Sequence, residues 1–161
     1  MVAFGISHES VCLTDKEEAH MNSGKAENLG LLVLRVGIGL SFMINHGIPK
    51  LLGGREVWAG LGAAMSAYGI DFAPAFWGFM AGVAEGVGGL FLVIGLLTRP
   101  FAALLTFTML TAMLLHLNLG ESMKALYPLE MGLVFLALIV SGPGRYSLKQ
   151  SIPACRRRWY L

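Results

Sequence analysis

The sequence predicts an all-α membrane protein, a four-transmembrane-helix bundle with a short interfacial helix between spans 1 and 2. Three observations predict it. Only 14% of the 161 residues are charged while 55% are hydrophobic, against about 25% charged in a typical water-soluble domain. The mean hydropathy is +0.66. The apolar residues are gathered into four segments, each close to the roughly 20 residues that a helix needs to cross about 30 Å of hydrocarbon. The 21 glycines against 6 prolines suit closely packed membrane helices. A net charge of +2 is too small to argue for a nucleic-acid partner.

Residues 1–28 are polar and mixed in sign, with Asp15, Lys16, Glu17, Glu18, Lys25 and Glu27. No basic stretch leads into an apolar core, so this is not a cleaved signal peptide. It reads as a mobile tail, with Met21 a candidate start beside Met1. The bundle domain is expected over 29–149. Its spans run from Leu29 to Leu52, Ala73 to Leu97, Pro100 to Leu117 and Leu126 to Ser141. The last two are short and must lean on the interface or on neighbours. Thr98-Arg99-Pro100 reads as the tight turn between spans 2 and 3, with Arg99 free to snorkel and Pro100 suited to a first helical turn. Between spans 1 and 2, Val57, Leu61, Met65 and Tyr68 recur at helical spacing, with Trp58 and Trp77 near the ends. That is an interfacial amphipathic helix or, given the glycines, a surface loop. Residues 150–161 form a basic tail whose Arg156-Arg157-Arg158-Trp159 end suits anionic headgroups.

Orientation follows from the basic residues beside the spans. An even number of spans puts both tails on one side. That side holds Lys16, Lys25, Arg99, Arg145, Lys149, Arg156, Arg157 and Arg158; the other holds Lys50, Arg55 and Lys124. Both tails are therefore expected in the cytoplasm of a bacterial inner membrane. Cys12 and Cys155 would then sit in a reducing compartment, and no disulfide is expected.

An ionisable group in a membrane helix costs roughly 2.5–3.5 kcal/mol on insertion scales and needs a partner or a purpose. Arg35, His46 and Lys50 lie in span 1, Glu85 in span 2, His116 at the end of span 3 and Glu130 in span 4. His46 and Lys50 are four apart and share a helix face, and Arg35 precedes His46 by close to three turns. With the amino end inside, His46, Lys50, Glu85, His116 and Glu130 are expected to converge in the outer half of the bundle. Arg35 lies deeper, placed to pair with Glu85. Such pairs can also simply hold helices in register. Nothing within one helix has metal-ligand spacing, such as HxxxH, so no metal is expected. Gly78, Gly82 and Gly86 form two overlapping GxxxG steps, a packing surface for a helix of this chain or of another subunit.

The motifs HGxxKL (His46, Gly47, Lys50, Leu51), AExxGGxxLxxGLxTR (Ala84 to Arg99), the histidine that closes span 3 (His116) and GPGRYSL (Gly142 to Leu148) occur here in that order. In that ordered set the chain resembles the DoxX family of small four-span bacterial membrane proteins, over about Leu29 to Lys149. Lys149 departs from the family pattern, where Asp is expected. The resemblance implies membrane redox work at the quinone level, since the family takes its name from a thiosulfate:quinone oxidoreductase with a DoxX-like subunit. It also implies protein partners, because other members accompany soluble redox enzymes. His46, Lys50, Glu85, His116 and Glu130 match the family's recurring polar residues.

Three functions are expected to compete. The first is a subunit of a redox complex that binds quinone, or a small sulfur-containing or anionic substrate, in the outer-half cavity. The second is a small-molecule carrier, acting as a homodimer because four spans are few for a transporter. The third is a scaffold that recruits soluble redox enzymes through its tails. The chain has no haem pair, cysteine run or nucleotide fingerprint of its own, so no covalent cofactor is expected. Electron transfer would rely on another subunit or on the bound substrate.

Overall fold

A computed structural model describes the backbone of residues 8–152 and the side chains of residues 23–152. The side chains of Cys12 and Lys16, together with Cys155 and the Arg156-Arg157-Arg158-Trp159 end, lie outside the described residues. Four helical runs have the length and apolar character to cross a membrane: Ser23–Leu52, Pro74–Ile94, Thr98–Asn118 and Ser122–Ser141. In hydrocarbon every backbone N–H and C=O must be satisfied internally, and a helix does this within one segment.

The first span is three consecutive pieces: helix α1 (His8–Ser41), a π-helical turn (Phe42–Gly47) and α2 (Ile48–Leu52). The expected mobile tail is instead helical from His8 onward, continuous with the span. The π turn has a local cause. Pro49 has no N–H to return to the chain, and the Ile48 N–H reaches back five residues to the Met43 carbonyl.

Beyond a break at Gly53 and the left-handed Gly54 (φ 77°) come α3 (Gly54–Gly62) and a 3-10 helix (Ala63–Tyr68). The open choice between helix and loop is thus decided for helix. The remaining elements are α4 (Pro74–Ile94), α5 (Thr98–Asn118), α6 (Ser122–Ser141) and the short α7 (Leu148–Ser151). The tight turn falls earlier than Thr98-Arg99-Pro100: Gly95 (φ 70°) and Leu97 (φ 53°) make it, and Thr98 already opens α5. Spans 3 and 4 are not short, since α5 has 21 residues and α6 has 20. Each helix runs past its apolar window into polar ends.

Glycines set the helix packing. A Cβ on Gly47 would lie 2.2 Å from the Gly86 Cα, and one on Gly78 would lie 1.8 Å from the Trp58 carbonyl oxygen. At Gly62 the added atom would meet the Pro74 carbonyl oxygen, also at 1.8 Å. The chain from Gly39 to Gly62 therefore runs antiparallel along α4, with backbone against backbone at Gly39, Gly47, Trp58 and Gly62. Gly78, Gly82 and Gly86 are all buried in this contact, so their small faces serve partners within the chain.

On the far side α6 packs along α5. Phe42, Leu92, Leu105, Phe135 and Leu138 fill the centre with almost no exposure, and Phe42 meets Phe135 edge-on at 4.9 Å. Between lipid-embedded helices the gain comes from close contact rather than from exclusion of water.

At the end of the bundle that holds the termini, cations meet free helix-end carbonyls, which carry partial negative charge. Arg99 donates from Nε to the Ile139 carbonyl oxygen at 2.9 Å and from Nη2 to that of Val140 at 3.2 Å, rather than snorkelling outward. Arg35, only 1% exposed, donates from Nη2 to the Tyr146 carbonyl oxygen at 2.7 Å. The Gly142–Leu148 segment is thereby folded back against α1, where the Arg145 N–H also donates to Asn28 Oδ1 at 2.6 Å.

Candidate functional site

In the half of the bundle away from the termini, α4 and α5 part around a cavity of about 530 Å³, within the 300–1,000 Å³ range of small-molecule sites. Its walls are apolar and come from the 3-10 helix (Ala64, Met65), α4 (Met80, Ala84) and α5 (Leu104, Phe107). The 3-10 helix is held across this gap by Tyr68, whose hydroxyl lies 3.3 Å from Thr111 Oγ1 and whose ring stacks on Phe107.

Polar groups gather at two levels. Glu85 lies eleven residues into α4, about 16 Å from its start, and forms the floor. Lys50 Nζ donates to Glu85 Oε1 at 2.6 Å and stands 2.5 Å from Oε2. The second oxygen has no well-aligned hydrogen bond of its own. Glu85 is 1% exposed and Lys50 24%, so the pair closes the cavity with the lysine facing it. Lys50 is held from behind: its carbonyl oxygen accepts a 2.7 Å hydrogen bond from Trp58 Nε1. Beside this pair His46 Nε2 lies 3.1 Å from the Tyr127 hydroxyl, with the two rings stacked at 6.0 Å. The π turn places His46 here, since a wider turn departs from the regular α phase of the first span.

The upper level is the rim near the helix ends. His116 Nδ1 lies 3.0 Å from Glu121 Oε2, and Lys124 Nζ donates to Glu121 Oε1 at 2.7 Å. The Lys124 hydrogen bond, followed by the His116 one, holds the Glu121 carboxyl below the usual carboxylate range.

His46, Lys50, Glu85 and His116 all line the cavity, as the sequence leads one to expect. Glu130 does not. It is exposed on the outer face of α6, because Pro128 and Phe135 turn the opposite face of that helix to the core. Nor does Arg35 pair with Glu85. Arg35 is taken by the Tyr146 carbonyl oxygen at the other end of the bundle, and Glu85 by Lys50.

Sequence reasoning missed Tyr127, Glu121 and Lys124. Tyr127 precedes Pro128 in an otherwise apolar run, and a tyrosine hydroxyl within a span is itself a polar signal. Glu121 stands five residues after His116, outside the span that the hydropathy defines. Among the described residues no three His, Cys, Asp or Glu side chains gather as a metal site.

The class these features define is a four-span membrane protein with an apolar cavity closed by a buried ion pair. The DoxX family model matches residues 30–117, and the chain belongs to that family. It is similar to two Escherichia coli (strain K12) proteins. Inner membrane protein YqjF is 33% identical over 139 residues, covering 84% of this chain and 98% of the relative. Inner membrane protein YphA is 30% identical over 141 residues, covering 80% and 94%. No solved structure matches the chain.

Proposed function

We propose that this DoxX-family protein is the membrane subunit of a redox complex and binds a quinone, or a small sulfur-containing molecule, in its cavity. The observation that carries the reading is the Lys50–Glu85 pair at the floor of an apolar-walled space. The pair is neutral overall, which favours an uncharged headgroup over a free anion. The lysine N–H groups suit a quinone carbonyl, and the buried Glu85 carboxylate holds the lysine in place to donate. His46 and Tyr127 stand close enough to pass a proton. The apolar walls would hold the ring and the start of its tail. Electrons would come from a partner subunit, as the DoxX resemblance implies.

The same reading sets both tails in the cytoplasm of the inner membrane. Among the residues with described side chains, Lys25, Arg99, Arg145 and Lys149 stand beside the spans at the terminal end, whereas Arg55 and Lys124 stand at the other and Lys50 points into the cavity. The carrier alternative took its dimer surface from Gly78, Gly82 and Gly86, which pack within the chain.

The test is to titrate the purified protein in nanodiscs with a short-tailed quinone and to follow tryptophan fluorescence. Saturable quenching that is lost in Glu85→Gln, with helicity unchanged, supports the proposal. Quenching that is identical in the two proteins refutes the assigned site.

A further inference from the structure

The most peripheral span is α6. It packs along α5, and it meets the first span through side chains such as Phe135 on Phe42. On its opposite face Leu126, Glu130, Leu133, Ala137 and Val140 recur at steps of three and four, which places them in one stripe. All five are exposed, Leu133 at 58% and Val140 at 79%. Four of them suit lipid. The fifth is a carboxyl eight residues into the helix, about 12 Å from its start. Glu130 has no hydrogen-bond or ion-pair partner among the described residues. Ionisable groups at such depth normally face a bundle interior and pair there.

The chain has no described cation to offer it. Lys50 is engaged with Glu85, Lys124 with Glu121 at the top of α6, and Arg35 with the Tyr146 carbonyl oxygen at the other end. The other described basic residues, Lys25, Arg55, Arg99, Arg145 and Lys149, lie at the two ends of the bundle. A second copy that presented the same face would bring another carboxylate to the contact. The complementary surface is therefore cationic and belongs to a different chain.

We infer that the outer face of α6 docks a transmembrane helix of another protein, one that carries a lysine or arginine at the depth of Glu130. The basic side chain pairs with Glu130, while Leu126 and Leu133 pack against the apolar residues one turn above and below it. This surface is separate from the cavity, and the inference stands whether or not the cavity binds quinone.

The test uses the full-length protein in lipid vesicles and labelled poly-leucine transmembrane peptides, one carrying a single lysine at the matching depth and one leucine only. Association is read by energy transfer. The lysine peptide is expected to bind at least tenfold tighter than the all-leucine peptide, and Glu130→Gln is expected to erase that advantage. An unchanged melting profile for Glu130→Gln and Glu130→Ala shows that the loss is local. Equal binding of the two peptides overturns the inference, as does a lysine preference that survives Glu130→Gln. Self-association of the protein that needs Glu130 and excludes the lysine peptide also overturns it, by making a second copy the occupant.

Discussion

Lys50 meets Glu85 because the residues beside them have no side chains. Gly47 stands against Gly86 at backbone contact, which brings the first span close enough to α4 for the lysine to reach a carboxylate 2.6 Å away. A bulkier residue at Gly47, whose Cβ would lie 2.2 Å from the Gly86 backbone, would hold the helices apart and open the floor of the cavity. The ion pair thus depends on helix spacing as much as on charge.

Removal of one partner should show this. Lys50→Met leaves Glu85, 1% exposed, without its cation, and loss of one member of a buried pair costs about 3–5 kcal/mol. A clear fall in melting temperature in detergent is expected. The double variant Lys50→Met/Glu85→Leu should recover most of the stability and bind no quinone. If the single variant melts like the parent, the pair is not a structural element.

The glycines differ in how much they tolerate. Gly78→Ala drives a methyl into the Trp58 carbonyl, and the backbone must shift; overpacking of this kind costs about 1–3 kcal/mol. Gly82→Ala meets only the Lys50 and Leu51 side chains at 3.3 Å and should cost less. Gly60→Ala has nothing within 4 Å and should be neutral or slightly stabilising. Thermal melts of the three variants, ranked in that order, check the packing.

Tyr127→Phe removes one hydroxyl from the His46 contact. Tyr127 is 46% exposed, so stability should hardly change. Quinone affinity should fall about two- to tenfold, the value of one hydrogen bond of about 0.5–1.5 kcal/mol. An unchanged affinity would remove Tyr127 from the binding site.

The rim has a defined pH response. The Glu121 carboxyl is held below its ordinary range in the folded protein, so its contribution is complete above about pH 4.3, the ordinary glutamate value. That contribution is lost as the pH falls through the lower folded value. The Glu121 contacts with His116 and Lys124 should persist at pH 5 and loosen only in stronger acid. Hydrogen exchange of the Glu121 and Lys124 amides against pH, with Glu121→Gln as the pH-insensitive control, measures it.

At the terminal end Arg35→Lys should be costly despite the retained charge. A single ammonium cannot reproduce a planar guanidinium whose Nη2 holds the Tyr146 carbonyl oxygen and whose Nη1 occupies the space above Gly95. Proteolysis after Arg145 should become faster in the variant. Equal cleavage rates would show that the Gly142–Leu148 segment is held by other contacts.

The four spans are legible in the sequence because apolar length is a property of the chain alone, and hydrocarbon leaves the backbone little choice but helix. Several of the polar residues that line the cavity are legible by the same logic, as groups that lipid does not welcome. His46, Lys50, Glu85 and His116 are read in this way and share one cavity. What one-dimensional reasoning does not contain is the rotation of each helix about its axis.

Glu85 and Glu130 look alike in sequence, each a carboxylate within an apolar run. Only packing separates them: α4 turns Glu85 towards the first span through its glycines, whereas α6 commits Pro128 and Phe135 to the core and leaves Glu130 outside. The π turn at Phe42–Gly47 acts in the same way, changing phase within the span that carries both Arg35 and His46. By itself the sequence determined the number of spans, their order and the polar residues needing a partner, because these follow from local transfer energies. Tertiary structure decided which partner each one found, because that depends on close contacts between helices distant in the chain.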